Sequence, residues 1–179
     1  MKDKVVIITG GTSGIGKALA FEFGQRGSKI LITGRSEEAL KETAFHLSAQ
    51  GIEVLPVRSD VTSEDDNRRM AQEAVRAFGR IDVLINNAGI SMRAVFEEVD
   101  PEVIKKVMDI NFYGAVYATK YCLPEILRNH GSIVGISSIA GFRGLPGRTG
   151  YSASKFALNG FLESLRTELL NSGVHVLTA

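Results

Sequence analysis

Residues 5–20, VVIITGGTSGIGKALA, join a short apolar run to a glycine-rich turn and then to an amphipathic segment. The apolar run is nearly continuous, which is typical of strands buried on both faces of a parallel sheet. The glycines allow backbone amides to approach a ligand closely, and the start of a helix favours negative charge. The stretch therefore predicts a strand, a tight turn and a helix that together bind an anionic group.

Apolar and amphipathic segments alternate along the rest of the chain. The apolar runs predict further strands at 29–33, 53–57, 82–86, 132–137 and 174–178, and the amphipathic segments predict helices near 15–26, 36–50, 63–78, 101–127 and 151–172. Asp100 before Pro101 predicts a helix start, and so does Ser36 before two glutamates. This alternation predicts an α/β fold with a doubly wound parallel sheet in three layers. No linker or repeat interrupts it, so we expect one domain.

The composition argues against several classes of function. The 179 residues carry a net charge of +1, and their 21 basic and 20 acidic side chains form no blocks, which disfavours nucleic-acid binding. The first apolar run is too short for a signal peptide or a membrane span. Cys122 is the only cysteine and lies in an apolar helical stretch, so we expect a core thiol and a cytoplasmic location. The three histidines are far apart, and no metal site is expected.

Three interpretations of the glycine-rich turn compete. A phosphate loop nearly matches from Gly11 to Lys17, but Ala18 stands where a hydroxyl should hold magnesium. A tight turn without any ligand is the second interpretation. A dinucleotide pyrophosphate is the favoured one, because Gly14 and Gly16 permit close approach and helix packing.

TGGTSGIG (9–16) resembles the Thr-Gly-x-x-x-Gly-x-Gly turn of the short-chain dehydrogenase/reductase family. Four further stretches follow in the family's order: DVT (60–62), NNAG (86–89), SS (137–138) and YSASK (151–155). The resemblance implies a Rossmann fold and hydride transfer between a nicotinamide cofactor and a carbonyl/alcohol pair. The family's chain normally continues past the sixth strand, so we expect 1–179 to be a single NAD(P)-binding Rossmann domain truncated there.

The resemblance also implies a set of cofactor-binding residues at the edge where the strands end. They are Gly10, Thr12, Ser13, Gly14, Ile15, Gly16, Arg35, Ser36, Asp60, Val61, Asn87, Ala88, Gly89, Tyr151 and Lys155. Asp60 is expected to contact adenine, and the alternative is that it caps the next helix. No acid follows the second strand, and Arg35 with Ser36 suits a 2′-phosphate. We therefore expect NADP(H) to be favoured over NAD(H), with a solvated Arg35 as the alternative.

Tyr151 and Lys155 are four residues apart, which places them on one face of a predicted helix. An ammonium at about 4 Å, with an effective dielectric near 20, favours phenolate by roughly 4 kcal/mol. This suits Tyr151 as a general acid–base. In the family, Ser138 would hold the substrate carbonyl and Asn111 would support a water relay behind the lysine. A polar residue that kinks a helix is the other interpretation of Asn111.

The remaining expectations concern substrate and partners. The stretches SSIAGFRGLPG (137–147) and YSASKFA (151–157) are also similar to family members that act on lipid-like ketones, which makes such a ketone a candidate small-molecule substrate. Arg93, Arg143 and Arg148 border the expected site but are equally well explained as solvated charges. In the family, the helices at 101–127 and 151–172 form a dimer face, so we expect a homodimer or homotetramer. The alternative function is a non-catalytic NAD(P)-binding regulator or scaffold, whose usual mark is a lost tyrosine or lysine.

Overall fold

Six short strands form one parallel sheet in the computed structural model, which describes residues 1–179. They are β1 (Val5–Ile8), β2 (Lys29–Gly34), β3 (Val54–Arg58), β4 (Val83–Asn86), β5 (Ser132–Gly135) and β6 (His175–Thr178). Their order in the sheet is β3-β2-β1-β4-β5-β6, with every neighbouring pair parallel. The direction of winding reverses between β1 and β4, so the doubly wound sheet is confirmed.

Helices cover both faces of this sheet. They are α1 (Gly14–Gln25), α2 (Glu37–Ser48), α3 (Glu64–Phe78), α4 (Pro101–Met108), α5 (Gly114–Arg128) and α6 (Thr149–Glu168). Successive residues of β1 point to opposite layers. Ile7 packs in the cluster beneath α3, α5 and α6, whereas Val6 and Ile8 pack in the cluster beneath α1 and α2. This two-sided burial explains why β1 is apolar without interruption.

Local capping signals set the starts of two helices as predicted. Ser36 Oγ accepts from the Ala39 amide at the start of α2. Asp100 Oδ1 accepts from the Glu102 amide at the start of α4, with Pro101 in the first position. These bonds satisfy amides that have no partner within the helix.

Two predicted elements differ from the structure. The helix expected over 101–127 is interrupted by a π-helical turn, Asp109–Tyr113, between α4 and α5. Strand five ends at Gly135 rather than at 137, so Ser138 lies three residues beyond the strand and caps a short 3₁₀ turn, Ile139–Gly141. In both places tertiary hydrogen bonds, described below, replace the regular backbone pattern.

Cys122 lies fully buried in the core, as expected, and burial raises the pKa of its thiol to about 12. No helix of the chain is long and apolar enough to cross a bilayer.

An ionic cluster lies at the amino ends of the strands, away from the cleft described below. Asp82 is 2% exposed, and its carboxylate accepts from Lys4 Nζ at 2.8 Å, from Arg80 and from the Val5 amide. Burial works to raise the pKa of Asp82, but these hydrogen bonds outweigh it and hold that pKa below its usual value.

Candidate active site

A cleft of about 400 Å³ crosses the carboxyl ends of β1 to β4, where the winding direction reverses. Ligands of open parallel sheets bind at this position. Most of the predicted cofactor residues line the cleft: Gly10, Thr12, Ser13, Gly14, Ile15, Arg35, Asp60, Val61, Asn87, Ala88 and Gly89. Gly16, Ser36, Tyr151 and Lys155 do not line it. The first strand, the two turns beside it and the end of β4 therefore build one continuous site.

The amino end of α1 is left open to a ligand. Its cap residue, Ser13, makes no side-chain bond to the helix amides, in contrast to the capping serine of α2. The first turn of α1 contains no acidic side chain, and Gly14 at its start has a φ of +50°. Free amides and the helix dipole make such an end an anion site, so the residues fit a pyrophosphate group.

Gly16 does not line the cleft, but its lack of a side chain matters for packing. A Cβ at this position would lie 2.3 Å from Gly10 O and 2.5 Å from Asn87 Nδ2. Neither atom can easily move away, because Gly10 O belongs to the backbone and Asn87 Nδ2 is held by hydrogen bonds to Thr9 O and Gly10 O. The absence of a side chain at Gly16 therefore sets how closely α1 approaches the turn.

Thr9 and Asn87 tie the first turn to the end of β4. Thr9 Oγ1 accepts from the amides of Asn87 and Ala88 at 3.0 and 3.1 Å. Asn87 Nδ2 donates to Thr9 O at 2.9 Å and to Gly10 O at 3.1 Å. Asn87 thus shapes the cleft through its side chain. Thr9 was absent from the predicted site residues, although it belongs to the motif that carried the resemblance.

Arg35 and Asp60 are the only charged residues that line the cleft. Asp60 Oδ1 accepts from the amide and the hydroxyl of Thr62, while Ser63 caps α3, so Asp60 is not the cap of that helix. Burial works to raise the pKa of Asp60, but the Thr62 bonds and the Arg35 charge outweigh it and hold the pKa below its usual value. Both bonds end on Oδ1 and leave Oδ2 available to a ligand.

Ser36 follows the cleft residue Arg35 in the chain, but its side chain caps α2. It does not line the cleft, and its hydroxyl accepts from the Ala39 amide. Arg35 is exposed, and its side chain forms no ion pair within 4 Å. Its carbonyl oxygen accepts a hydrogen bond from the Arg58 side chain. Of the two residues predicted to meet a 2′-phosphate, Arg35 lines the cleft and Ser36 does not.

Tyr151 and Lys155 share one face of α6, as their spacing predicts. The Lys155 ammonium lies 5.8 Å from the centre of the Tyr151 ring and donates to Ile136 O at 2.7 Å. Lys155 is only 5% exposed, and burial lowers its pKa below the usual value. The Arg148 guanidinium approaches the same ring, 6.0 Å from its centre. Two cations therefore flank the tyrosine.

Ser138 lies on the segment that leads from β5 to α6. Its Oγ accepts from the Ala140 amide at 3.2 Å, which leaves its hydroxyl proton free to donate. The segment begins next to the cleft, because the Ile136 amide donates to Asn86 O at 2.9 Å. Ser137 takes a different direction, and its hydroxyl donates to Asn159.

Asn111 connects the cleft to α6 from within the π-helical turn. Its side chain accepts from the Ile90 amide at 2.8 Å and donates to Ile90 O at 2.9 Å. It also donates to Ser154 Oγ at 3.0 Å, and Ser154 donates to Tyr151 O. Asn111 therefore lies where the helix departs from α geometry, as its helix-kinking interpretation predicts, and it bonds to Ile90, which lines the cleft. The water relay behind Lys155 stays a prediction.

Comparison with known families matches residues 4–179 to the family described as short chain dehydrogenase. The chain therefore belongs to the short-chain dehydrogenase/reductase family, as its motifs predict.

Two curated relatives illustrate the match. The 11-beta-hydroxysteroid dehydrogenase 1A of Arabidopsis thaliana is 41% identical over 175 residues, which cover 97% of this chain and 50% of that protein. The dehydrogenase/reductase SDR family member 7B of Bos taurus is 39% identical over 183 residues, covering 98% and 56%. The chain spans about half the length of the curated relatives it matches. Their names support an oxidoreductase enzyme.

A solved structure of similar fold is the short chain dehydrogenase/reductase from Burkholderia phymatum in complex with NAD. It is 32% identical, with a TM-score of 0.94, and the match covers 98% of this chain and 64% of that one. The Rossmann-like architecture predicted from the sequence is confirmed.

Proposed function

We propose that the protein is an NADP(H)-dependent oxidoreductase that interconverts a carbonyl and a secondary alcohol. The observation that carries the proposal is the pairing of Tyr151 with Lys155 on α6, where Lys155 donates to the carbonyl of Ile136. Ile136 lies two residues before Ser138, and its amide donates to Asn86, the neighbour of Asn87 in the lining of the cleft. A single Rossmann domain over residues 1–179 holds these groups. The lone buried cysteine agrees with a reducing compartment, so we place the protein in the cytoplasm.

Each of the three side chains has a distinct part in the reduction. A nicotinamide bound in the cleft would supply hydride to the carbonyl carbon. Ser138 donates a hydrogen bond to the carbonyl oxygen and stabilises the charge that develops there. Tyr151 transfers its proton to that oxygen, and the Lys155 ammonium near its ring stabilises the phenolate left behind. In oxidation the same groups act in reverse.

Asn111 and Lys155 have supporting roles in this reaction, Asn111 by positioning the cleft edge and Lys155 by binding the cofactor ribose. Asn111 holds Ile90 at the edge of the cleft and reaches α6 through Ser154. Lys155 also suits the hydroxyls of the nicotinamide ribose, since its ammonium has three donors and the Ile136 carbonyl uses one of them.

The cofactor preference rests on the charges of the cleft. Arg35 follows β2, where a carboxylate would select NAD, and no acid stands there. The NAD complex of the Burkholderia phymatum protein supports a dinucleotide in this fold. The choice of NADP(H) over NAD(H) is inferred from Arg35 alone.

A lipid-like ketone is the substrate class that the surroundings of Ser138 support best. Ile139 and Phe142, on the turn that follows Ser138, are 71% and 65% exposed. Exposed apolar side chains beside a reacting group favour a substrate with an apolar body. The name of the Arabidopsis thaliana relative, a hydroxysteroid dehydrogenase, agrees with this class.

We also propose that the protein forms a homodimer or homotetramer through α5 and α6. Phe112 packs edge-on against Phe161, with ring centres 6.2 Å apart, and Tyr117 lies near Tyr113. Phe156 on α6 remains 47% exposed. An exposed aromatic surface on two adjacent helices is typical of a two-fold interface.

Replacing Tyr151 by phenylalanine tests the catalytic proposal on the full-length protein. Because only the proton donor is lost, reduction of a reporter ketone by NADPH should fall at least about a thousandfold, within the range of general-acid effects. The dissociation constant of NADPH, measured by fluorescence titration, should change by less than about twofold. Wild-type protein that binds NADPH but reduces none of a panel of ketones would instead favour a non-catalytic regulator.

A further inference from the structure

Ser138 lies on irregular backbone, whereas Tyr151 and Lys155 lie on a long helix. The strand before Ser138 ends at Gly135, and the 3₁₀ turn after it is only three residues long. Short irregular segments hold a side chain less accurately than helices do. A reaction that needs Ser138 and Tyr151 around one oxygen atom therefore requires a device that fixes the segment to α6.

Asn159 makes hydrogen bonds on both sides of Ser138. Its Oδ1 accepts from Ser137 Oγ at 2.6 Å, and its Nδ2 donates to Gly141 O at 3.0 Å. Ser137 immediately precedes Ser138, and Gly141 ends the 3₁₀ turn that Ser138 caps. The amide of Asn159 thus spans the segment that carries the serine. We call these two hydrogen bonds the Asn159 bridge.

The contact between the segment and α6 is too close for any larger residue at Gly141. A Cβ there would lie 2.6 Å from Asn159 Nδ2, 2.9 Å from Ser137 Oγ and 3.0 Å from Lys155 O. The turn therefore rests directly on the backbone of α6, and the bridge fastens it there. At the other side, the Ser137 amide donates to Ala179 O at 2.7 Å, so the backbone of Ser137 is held by the end of the sheet while its hydroxyl is held by α6.

Tyr151, Lys155 and Asn159 follow one another at intervals of four residues, which places them along one face of α6. All three bear on the same site: Tyr151 and Lys155 through their own groups, and Asn159 through the segment of Ser138. We propose that Asn159 is a positioning residue that sets Ser138 Oγ in register with the Tyr151 hydroxyl. This inference rests on the proposed function, and Asn159 itself touches neither substrate nor cofactor.

The test compares Asn159→Ala with a matched control, Asn129→Ala, in the full-length protein. Asn129 is also half-buried, and its Nδ2 donates to Ile81 O and Glu125 O, at the opposite end of the sheet. Both variants lose two side-chain hydrogen bonds, so both should lower the melting temperature similarly. Only Asn159→Ala should lower kcat, by about tenfold, because displacing a reacting group by a fraction of an ångström slows chemistry. The KM for NADPH should stay within about twofold of wild type.

Two more variants separate positioning from a general structural effect. Asn159→Asp still accepts from Ser137 but cannot donate to Gly141, so its kcat should lie between those of wild type and Asn159→Ala. In a Ser138→Ala background, Asn159→Ala should produce no further loss of the residual activity, because the group it positions is gone. An Asn159→Ala variant as active as Asn129→Ala, or one that costs the same tenfold in the Ser138→Ala background, would overturn the inference.

Amide hydrogen exchange gives a readout that does not depend on turnover. The Ala140 amide donates to Ser138 Oγ and the Gly141 amide donates to Ser138 O. Both amides should exchange faster in Asn159→Ala than in the wild-type protein, and their exchange rates should not change in Asn129→Ala. If exchange is faster in Asn159→Ala but the wild-type protein reduces no ketone, the Asn159 bridge exists and the proposed function is wrong. Unchanged exchange would show that Asn159 does not hold the segment, whatever the enzyme's activity.

Discussion

Replacement of Arg35 by aspartate should reverse the cofactor preference. The side chain lines the cleft just after β2, is exposed, and shares the lining with one other charged residue, Asp60. Two unit charges about 4 Å apart interact by about 1 kcal/mol in water. A 2′-phosphate carries about 1.5 to 2 negative charges, so Arg35 should stabilise it by about 1.5 to 2 kcal/mol. This exceeds the 1.4 kcal/mol or so that corresponds to a tenfold difference in affinity.

The aspartate would repel the same phosphate and accept from the 2′-hydroxyl of NAD. We therefore expect the wild-type protein to bind NADP(H) at least about tenfold more tightly than NAD(H), and Arg35→Asp to bind NAD(H) more tightly. The measurement is calorimetric or fluorescence titration of both proteins with both cofactors. Since the interaction is exposed, the wild-type preference should narrow as salt rises towards about 1 M, where the Debye length is about 3 Å.

Arg26→Asp is the matched control for the change in net charge. Arg26 is also exposed but lies at the far end of α1, away from the cleft. This variant should keep the wild-type ratio of the two dissociation constants. If the unmodified protein binds NAD(H) as tightly as NADP(H), the inference from Arg35 is wrong.

Three further predictions concern the turn, the ionic cluster and the assembly. Gly16→Ala should weaken NADPH binding by about tenfold or more, because its Cβ would meet Gly10 O at 2.3 Å. Gly160→Ala, at a position of α6 away from the turn where an added Cβ meets no atom of the chain within 4 Å, should leave NADPH binding unchanged, and equal binding by both variants would contradict the steric argument. Asp82→Asn should lower the free energy of unfolding at pH 7 by about 2 kcal/mol, as measured by urea titration. Because the folded-state pKa of Asp82 is depressed, its contribution to the free energy of unfolding is present above the unfolded-state pKa of about 4 and is lost as pH falls through the folded-state pKa. The difference in free energy of unfolding between wild type and Asp82→Asn should therefore shrink at acid pH. A difference that stays constant with pH would exclude ionisation of Asp82 as its cause. Light scattering of the full-length protein at micromolar concentration should give a dimer or tetramer, and Phe156→Glu should shift it towards monomer, whereas a monomeric wild type would contradict the interface on α5 and α6.

The fold could be predicted from local features of the chain. A strand segment buried on both faces is apolar throughout, so VVII at 5–8 and ILI at 30–32 indicate a parallel sheet before any contact is known. Helix starts were equally local, because a capping side chain such as Asp100 bonds to an amide two residues away. The recurrence of family motifs in order then identified the class of protein and most of the predicted residues that line the cleft.

The details of the site depend on contacts between distant residues, which no local pattern reports. Asn87 lines the cleft, and its side chain also holds the backbone of Thr9 and Gly10, nearly eighty positions earlier, which no local pattern could show. The π-helical turn forms where Asn111 bonds to Ile90, and a continuous amphipathic pattern cannot show that interruption.

The sequence by itself determined the alternation of strands and helices, the glycine-rich turn and the four-residue spacing of Tyr151 and Lys155, because these follow from backbone geometry and side-chain period. Only the tertiary structure decided that α1 keeps its first amides free, that Ser138 lies beyond its strand, and that Asn159 bonds to Ser137 and Gly141 on either side of it. Those features arise where separate elements meet, and the hydrogen bonds between them depend on where every element lies in space.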